Sequence, residues 1–378
     1  MKKPLLETFW FRTFLPAALV LAVVIAMVCP ISCCSTDTYG IEILQGDFSC
    51  PQIGSISVLS SSSVQMVFSK VVEVLKAEVY IADTTDTESE SLGAMTWQVA
   101  GDTVTFSFEG EAKVGVEYVL EGTVEDLSGN TLTFAASFTG YNDNPARLVI
   151  NELRNVYTTR SISDVKVHCS EFVELYVLKA GNLSGFEIYS ANDGDSKSYQ
   201  FPAIDVSEGE YITVHMRTIA SPSSETDGEG MVSETEDDLT LSTHEDSCDT
   251  ARDLWNENNS KAVFADSDIV VLRNTSSGEV VDAILFAKSA TTTWDSDYAD
   301  VLNAVEESGV WQGGLEPADS LCVDYIKTAY TRSCTRKNLS DVIKAYENAD
   351  TIPNSAENWI VATPATPGYE NSQTAYEP

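Results

Sequence analysis

Histidine is scarce in this sequence. Only His168, His215 and His244 occur in 378 residues. A metal site built on several imidazoles, or an active site centred on histidine, is therefore hard to assemble. The cysteines include no C-x-x-C spacing, which argues against a zinc ribbon and against a thioredoxin-type redox site.

Positive charge is also scarce. The chain has 22 Lys and Arg against 58 Asp and Glu, a formal net charge of −36. Because binding to nucleic-acid phosphates requires clustered Lys and Arg that displace counterions, we expect no nucleic-acid partner. Hydrophobic residues make up 43% of the chain, enough for sizeable cores, and the length predicts about two domains plus extensions.

The common catalytic motifs are absent. The sequence has no P-loop, no G-x-G-x-x-G after a predicted strand and no H-E-x-x-H. Residues 181–185 (GNLSG) place the serine one position too late for a nucleophile elbow. Pairs of carboxylates occur, but acid–base chemistry needs an enclosed cleft that shifts their pKa, and the sequence indicates none. We therefore predict no enzymatic activity and no catalytic residue; the carboxylates considered were Glu171 with Glu174, and Asp295, Asp297 and Asp300.

The N-terminus has the pattern of an export signal. Basic residues precede an uncharged stretch, residues 13–36, whose apolar centre is residues 14–28. A basic segment, a short apolar core and a small residue before a cleavage point are typical of a secretory signal peptide. An uncleaved membrane anchor is the alternative, since the uncharged stretch is long enough to be considered as a span. On either interpretation the body of the protein lies outside the cytoplasm.

Residues 31–33 (ISC) resemble the lipobox of bacterial lipoproteins, with Pro30 where that family usually has Leu, Val or Ile. The resemblance implies that residues 1–32 are a lipoprotein signal peptide, that Cys33 carries a covalent lipid and that residues 33–50 are a tether. Cys34 is the alternative lipidation site. The implied location is the bacterial cell envelope, on the periplasmic side or the cell surface. The mature chain would keep 19 basic and 57 acidic residues, a net charge of −38, so the lipid and not electrostatics must hold it to the membrane.

Eight cysteines permit disulfides in an oxidising envelope. Loss of Cys29 with the signal and use of Cys33 for lipid would leave six, an even number, which allow fifteen pairings. We expect Cys322 with Cys334 as the first pair and Cys169 with Cys248 as the second. Buried free thiols are the alternative.

Residues 51–140 have the pattern of a β-sandwich. Short runs rich in Val, Phe, Thr and Tyr are separated by turn residues, and residues 103–108 alternate polar and apolar side chains. The predicted strands are residues 55–59, 64–68, 78–82, 96–100, 103–108, 117–124 and 131–139. Residues 67–69 (VFS), 101–104 (GDTV), 115–120 (GVEYVL) and 124–130 (VEDLSGN) resemble the bacterial Ig-like domain of S-layer and other surface proteins. Within the last motif, Asp126 is expected to bond the backbone of the Gly129-Asn130 turn.

A second β pattern covers residues 147–371 and follows a polar domain boundary at residues 141–145. The signature pieces are residues 150–152 (INE), 172–176 (FVELY), 183–186 (LSGF), 209–211 (GEY), 270–272 (VVL), 278–282 (GEVVD), 355–359 (SAENW) and 366–371 (TPGYEN). They resemble the lamin-tail domain, an Ig-like sandwich. The fold expectation is therefore an all-β protein with two Ig-like β-sandwich domains in tandem after a lipoprotein signal peptide, and with short helices near residues 295–308 and 339–349.

An acidic insertion of about residues 218–261 departs from the lamin-tail pattern. Residues 221–247 contain nine Asp and Glu and no Lys or Arg. A solvated excursion from the sandwich is the favoured interpretation, and a calcium- or partner-binding loop is the alternative. Asn192, Asp193 and Asp195 are weak calcium candidates, because they place oxygen ligands around a glycine turn but lack the full EF-hand spacing.

These observations favour a lipid-anchored envelope protein that works as a non-catalytic structural or interaction module. Its expected contacts are the membrane, through the lipid, and a protein or cell-surface partner; no cofactor is expected beyond the lipid. One alternative is an accessory to an extracellular hydrolase such as a nuclease or phosphoesterase, because bacterial lamin-tail domains are often joined to such enzymes. The other is a calcium-dependent adhesion protein.

Overall fold

The computed structural model describes residues 46–82, 91–220, 226–259, 262–326 and 330–377. Residues from Cys50 to Pro378 form one compact unit, and the following concerns that unit. The predicted signal peptide and both lipidation candidates, Cys33 and Cys34, lie outside the described residues.

In the part of the chain that the structure describes, seven strands form the first sandwich. They make a four-stranded antiparallel sheet in the order β1-β2-β5-β4 and a three-stranded antiparallel sheet in the order β3-β6-β7. This division of seven strands is that of a constant-type immunoglobulin domain. The strands are β1 (Ile53–Ser60), β2 (Ser63–Phe68), β3 (Val72–Ile81), β4 (Met95–Ala100), β5 (Thr103–Phe108), β6 (Glu117–Asp126) and β7 (Thr131–Thr139).

The core of the first sandwich follows from alternation along the strands. In β5, Val104, Phe106 and Phe108 are buried, while the Thr and Ser residues between them face outwards. Corresponding residues of β2, β3, β6 and β7 join them in one buried cluster, so side chains from both sheets close the core. The all-β expectation is confirmed.

A hydrogen-bonded motif stabilises each end of β6. The Tyr118 hydroxyl accepts a hydrogen bond from the Lys113 amide at 2.9 Å, which is the tyrosine corner of Ig-like sandwiches. At the other end, Asp126 Oδ1 accepts from the amides of Ser128 and Asn130, each at 2.9 Å. The turn interaction predicted for Asp126 is therefore present. Hydrogen bonds from Asn130 hold the pKa of Asp126 well below its usual range.

Fifteen further strands and two α-helices follow within the described residues. A six-stranded sheet has the order β17-β16-β11-β8-β21-β22, a five-stranded sheet has the order β14-β13-β18-β19-β20, and β9-β10 and β12-β15 are two-stranded pairs. The helices are α1 (Ala299–Ser308) and α2 (Leu339–Glu347), close to the predicted positions. The strands are β8 (Arg147–Arg154), β9 (Thr158–Ile162), β10 (Val165–Cys169), β11 (Phe172–Lys179), β12 (Gly181–Asn182), β13 (Phe186–Ser190), β14 (Gly194–Gln200), β15 (Asp205–Val206), β16 (Tyr211–His215), β17 (Arg252–Trp255), β18 (Asp268–Asn274), β19 (Val280–Ala287), β20 (Leu321–Cys322), β21 (Ser333–Arg336) and β22 (Trp359–Ala362).

The two larger sheets share one hydrophobic core. Apolar side chains of β8, β11 and β16 meet those of β13, β18 and β19 in a single buried cluster. Helix α1 adds Val305 to this core, whereas α2 places Val342 against Val149 and Leu178 in a small separate cluster. Both faces of the six-stranded sheet are thus largely covered, and its strands are buried nearly throughout.

The disulfide pairs expected from the sequence are not formed in the described structure. Cys50, Cys169, Cys248, Cys322 and Cys334 are all free. Cys334 lies in the main hydrophobic core, whereas Cys322 is exposed, so the two side chains have different surroundings. Cys169 and Cys248 are buried as free thiols, and burial raises the pKa of Cys169 to about 11.

Candidate functional site

A β-bulge in β8 turns two polar side chains away from the core. Glu152 pairs with Glu174 of β11, and Ile150 pairs with the next residue, Leu175, so Asn151 is the extra residue of β8. Ile150 lies in the hydrophobic core, whereas Asn151 and Glu152 are fully buried among polar groups. The local backbone irregularity therefore explains why the sequence INE places Asn and Glu side by side in a buried strand.

Asn151 and Glu174 bind the C-terminal segment, residues 366–371. Asn151 Nδ2 donates to Glu174 Oε1 at 2.7 Å and to Asn371 Oδ1 at 2.9 Å. Asn371 Nδ2 donates to Asn151 Oδ1 at 2.9 Å and to the Arg336 carbonyl at 3.0 Å. Glu174 Oε2 accepts from the Gly368 amide at 2.5 Å. The C-terminal segment is thus joined to the sheet by paired amides and a carboxylate.

Glu152 binds the same segment from the neighbouring position. Its Oε1 accepts from the Thr366 amide at 2.9 Å, its Oε2 accepts from the Thr366 hydroxyl at 3.1 Å, and the Ser333 hydroxyl also donates to it. Burial raises the pKa of Glu152 and raises that of Glu174 well above its usual value. We call Asn151, Glu152, Glu174, Thr366, Gly368 and Asn371 the C-terminal clamp.

A second buried network explains the SAENW residues. Arg336 Nη2 donates to Asp282 Oδ2 at 2.6 Å, and Asn354 Nδ2 donates to Asp282 Oδ1 at 2.8 Å. Trp359 Nε1 donates to Asn354 Oδ1 at 2.8 Å, and its ring lies under the Arg336 guanidinium. Ser355 and Asn358 form a capping box on the short 3-10 helix Ala356–Asn358.

The carboxylates considered as acid–base pairs do not form one site. Glu171 accepts from the Arg217 guanidinium, whereas Glu174 belongs to the C-terminal clamp. Asp295 accepts from the Asp297 amide at 3.2 Å and caps the 3-10 helix Ser296–Tyr298, and Asp300 lies in the first turn of α1. Glu171, Glu174 and Asp295 thus accept hydrogen bonds from other residues of the chain and do not pair with one another.

The solvated interpretation fits most of the acidic run, because most described residues between 226 and 247 are exposed or half-buried, but it does not hold for the whole insertion. Arg252–Trp255 is a buried edge strand that pairs in parallel with β16. Glu234 is fully buried, accepts from the Asp253 amide at 2.8 Å and from the Ser242 amide at 3.1 Å, and so links the loop to that strand. The chain accommodates this acid by giving it two backbone donors, which offset its burial.

The same strand carries a stacked histidine. His215 Nε2 lies 2.6 Å from Asp253 Oδ1, and the His215 ring stacks on Trp255 with 3.9 Å between ring centres. The indole Nε1 of Trp255 donates to the Ser242 hydroxyl at 2.9 Å. The side chains of this cluster are buried, and they join His215 of β16 to residues of the insertion.

Four buried arginines were not identified from the sequence. Each forms an ion pair with a carboxylate: Arg154 with Asp246, Arg217 with Glu171, Arg252 with Glu210, and Arg336 with Asp282. The sequence did contain a signal for them: each is a basic residue within the second β pattern, in a chain that has few basic residues. Buried pairs of this kind are strongly destabilising to break, because one charge is left uncompensated.

The weak calcium candidates have other partners. Asn192 Nδ2 donates to the Val263 carbonyl at 3.0 Å, and its amide donates to Asp268 Oδ1 at 3.1 Å. Asp193 Oδ2 lies 2.5 Å from Lys197 Nζ. Asp195 follows in β14. Among the residues that the structure describes, no group of three His, Cys, Asp or Glu side chains is arranged to hold a metal ion.

In that same part of the chain, no helix is both long and apolar enough to cross a membrane.

Comparison with known proteins finds one curated relative and several solved structures, including those of two bacterial proteins. An uncharacterized protein of Treponema pallidum (strain Nichols) is 31% identical over 209 residues, which cover 52% of this chain and 48% of that protein. The chain thus matches about half the length of this relative. A DUF4876 family protein from Bacteroides thetaiotaomicron is 13% identical, with a TM-score of 0.32, over 80% of this chain and 96% of that one. The N-terminal part of the bacterial S-layer protein SbsC is 14% identical, with a TM-score of 0.23, over 63% and 44%.

A family model, TP_1001_2nd, described as protein second domain, matches residues 146–361. The match begins at the start of the second sandwich and ends in β22, and so contains the β8 bulge, the insertion and the buried Arg336 network. These residues are more than half of the chain, which therefore belongs to the TP_1001 second-domain family.

Proposed function

We propose that this chain is a lipid-anchored protein of the bacterial cell envelope that acts as a non-catalytic structural and interaction module. Cys33 is the lipidated residue in this proposal. The first sandwich corresponds to the S-layer-type Ig-like domain and serves as a spacer, and the second corresponds to the lamin-tail-like domain and presents the contact surface. The partner is a protein or another cell-surface molecule.

The observation that carries the proposal is the use of the buried ionisable side chains. Glu152 and Glu174 accept hydrogen bonds from the C-terminal segment, and Asp282 accepts from Arg336 and Asn354. General acid–base catalysis requires such groups to reach a bound substrate. Here the same groups hold one part of the chain to another, which supports a structural role.

The charge of the chain supports an anchor made of lipid. A mature net charge of −38 repels anionic headgroups, and a single acyl chain binds membranes only marginally, so a stable anchor takes more than one chain. A diacylated or triacylated cysteine supplies that. The proposal needs no cofactor beyond this covalent lipid.

The test is the mass of the mature N-terminus in envelope fractions, combined with protease treatment of intact cells. We expect a diacyl or triacyl Cys33, and we expect Cys33→Ser, but not the matched Cys34→Ser, to abolish the lipidated form. Cleavage by added protease would place the protein on the cell surface, and protection would place it on the periplasmic side. An unprocessed wild-type N-terminus, or a Cys33→Ser protein that still carries the lipid, would overturn the anchor.

A further inference from the structure

The four-stranded sheet of the first sandwich is free of charge. Its strands β1, β2, β5 and β4 contain no Asp, Glu, Lys or Arg, although charged residues make up 21% of the chain. Serine, threonine and glutamine dominate its outward face, as at Ser57, Gln65, Thr105 and Gln98. The other sheet differs, because β6 carries Glu117, Glu121 and Glu125 at every fourth position, all on one face of the strand.

Strand β4 is an unprotected edge of this sheet. It pairs with β5 through six consecutive residues without a bulge, and within the described residues no strand lies on its other side. Natural proteins usually protect such edges with charged side chains, proline or bulges, because unpaired N–H and C=O groups accept another strand. The sequence of β4, MTWQVA, has none of these protections.

The inward face of β4 also leaves apolar surface uncovered. Trp97 pairs with Phe106 and Val99 pairs with Val104, so both side chains point to the core side of the sheet. Nevertheless Trp97 is 37% exposed and Val99 is 43% exposed. The three-stranded sheet opposite does not cover them fully, and a strand added beyond β4 would bring side chains that do.

The other edge strands of this sandwich do not combine an uncharged, regular edge with exposed apolar side chains. Strand β3 carries Glu73, Lys76 and Glu78 and contains a bulge, and β1 contains two irregularities in its pairing. Strand β7 is uncharged, but its inward Phe134 and Phe138 are buried, and it lies beside the glutamates of β6. A second acidic molecule approaching β7 would meet those glutamates.

We propose that β4 is a self-association edge, at which the β4 strands of two copies of this chain pair antiparallel about a twofold axis. The electrostatic argument favours a second copy as the partner. Two molecules of this net charge repel each other, so close contact requires a surface without acidic residues. An isologous contact brings the same surface from both copies, and β4 with its charge-free sheet is such a surface. Two uncharged four-stranded sheets would then continue as one across the contact. This inference goes beyond the proposed function and does not depend on the lipid.

The first test is the oligomeric state of the full chain, extracted from membranes in mild detergent, over a range of concentrations. A small contact of this kind predicts a reversible dimer with a Kd of roughly 10–100 μM. Gln98→Glu puts an acidic residue on the outward side of β4 in both copies and should weaken the dimer at least about tenfold. Ser137→Glu is the matched control, because it adds the same charge at an exposed position of β7 and should leave the dimer unchanged.

If the copies associated through lipid or detergent, both substitutions would change the dissociation constant equally. A difference between the two variants therefore reports on contact through β4. A chain that is monomeric at every concentration, or equal weakening by both variants, would overturn the proposal. The second test places a photo-reactive phenylalanine analogue at position 98 in cells. A crosslinked product of twice the chain mass supports the proposal, whereas no product, or a product with a glycan or a different protein, overturns it.

Discussion

Replacing Asn371 by alanine should remove the amide pair that joins the C-terminal segment to β8. Its Oδ1 accepts from Asn151 Nδ2 at 2.9 Å, and its Nδ2 donates to Asn151 Oδ1 at 2.9 Å and to the Arg336 carbonyl at 3.0 Å. All three residues are buried, so the groups left behind have no access to solvent. Asn371 Nδ2 also lies 3.1 Å from the Asn151 carbonyl oxygen, so its two N–H groups share three acceptors. With about 1 kcal/mol for the bond to Oδ1 and for each of the two N–H groups, Asn371→Ala should lower the free energy of unfolding by about 3 kcal/mol.

The assay is urea unfolding followed by tryptophan fluorescence, since Trp255, Trp311 and Trp359 are all buried in the second sandwich. Gln373→Ala is the matched control, because Gln373 is an exposed amide two residues later and should change stability by less than about 0.5 kcal/mol. A double-mutant cycle of Asn151→Ala with Asn371→Ala should give a coupling energy of about 1–2 kcal/mol. The reasoning is refuted if Asn371→Ala costs no more than the control, or if the two substitutions are additive.

Three further outcomes follow from buried groups elsewhere. Burial raises the pKa of Asp268 to about 6, so the stability it contributes is complete below its unfolded pKa of about 4 and is lost as pH rises through 6. The free energy of unfolding of wild type minus that of Asp268→Asn, measured with urea, should therefore fall by about 3 kcal/mol between pH 3.5 and 7. A difference that increases with pH would contradict this. Tyr118→Phe should cost about 1 kcal/mol in the unfolding of the first sandwich, because a backbone amide loses its acceptor; an unchanged midpoint would argue against the tyrosine corner. In a thiol titration of the native protein, the reagent should modify exposed Cys322 at once and buried Cys334 only after unfolding. If neither cysteine reacts in the unfolded protein until a reductant is added, the two form a disulfide and the prediction is wrong.

The fold of the first sandwich could be predicted well because its strands obey a simple alternation. The expected strand at 103–108 matches β5, and the Asp126 turn has the expected hydrogen bonds. Strand β3 was the exception, since it begins at Val72, six residues before the expected start. Its pairing with β6 is irregular between Val74 and Lys76, and a bulge breaks the period-two pattern on which the expectation relied.

The second sandwich was predictable in outline but not in its polar interior. Motif resemblance marked Asn151 and Asn371, which bond each other across 220 residues of sequence. No local pattern reveals such a pair, because its partner is chosen by the tertiary fold. Strand β17 was missed for the same reason, since four residues in an acidic segment become a strand only by pairing with β16.

The central claim is that the buried acids of the second sandwich hold the C-terminal segment in place. Amide hydrogen exchange of Thr366 and Gly368 tests it most directly, because these amides donate to Glu152 and Glu174. The account predicts exchange slowed by roughly 10⁴-fold or more, through an opening whose free energy approaches that of global unfolding. Exchange of both amides near the rate of an unstructured peptide would contradict the clamp, and with it the structural role assigned to these carboxylates.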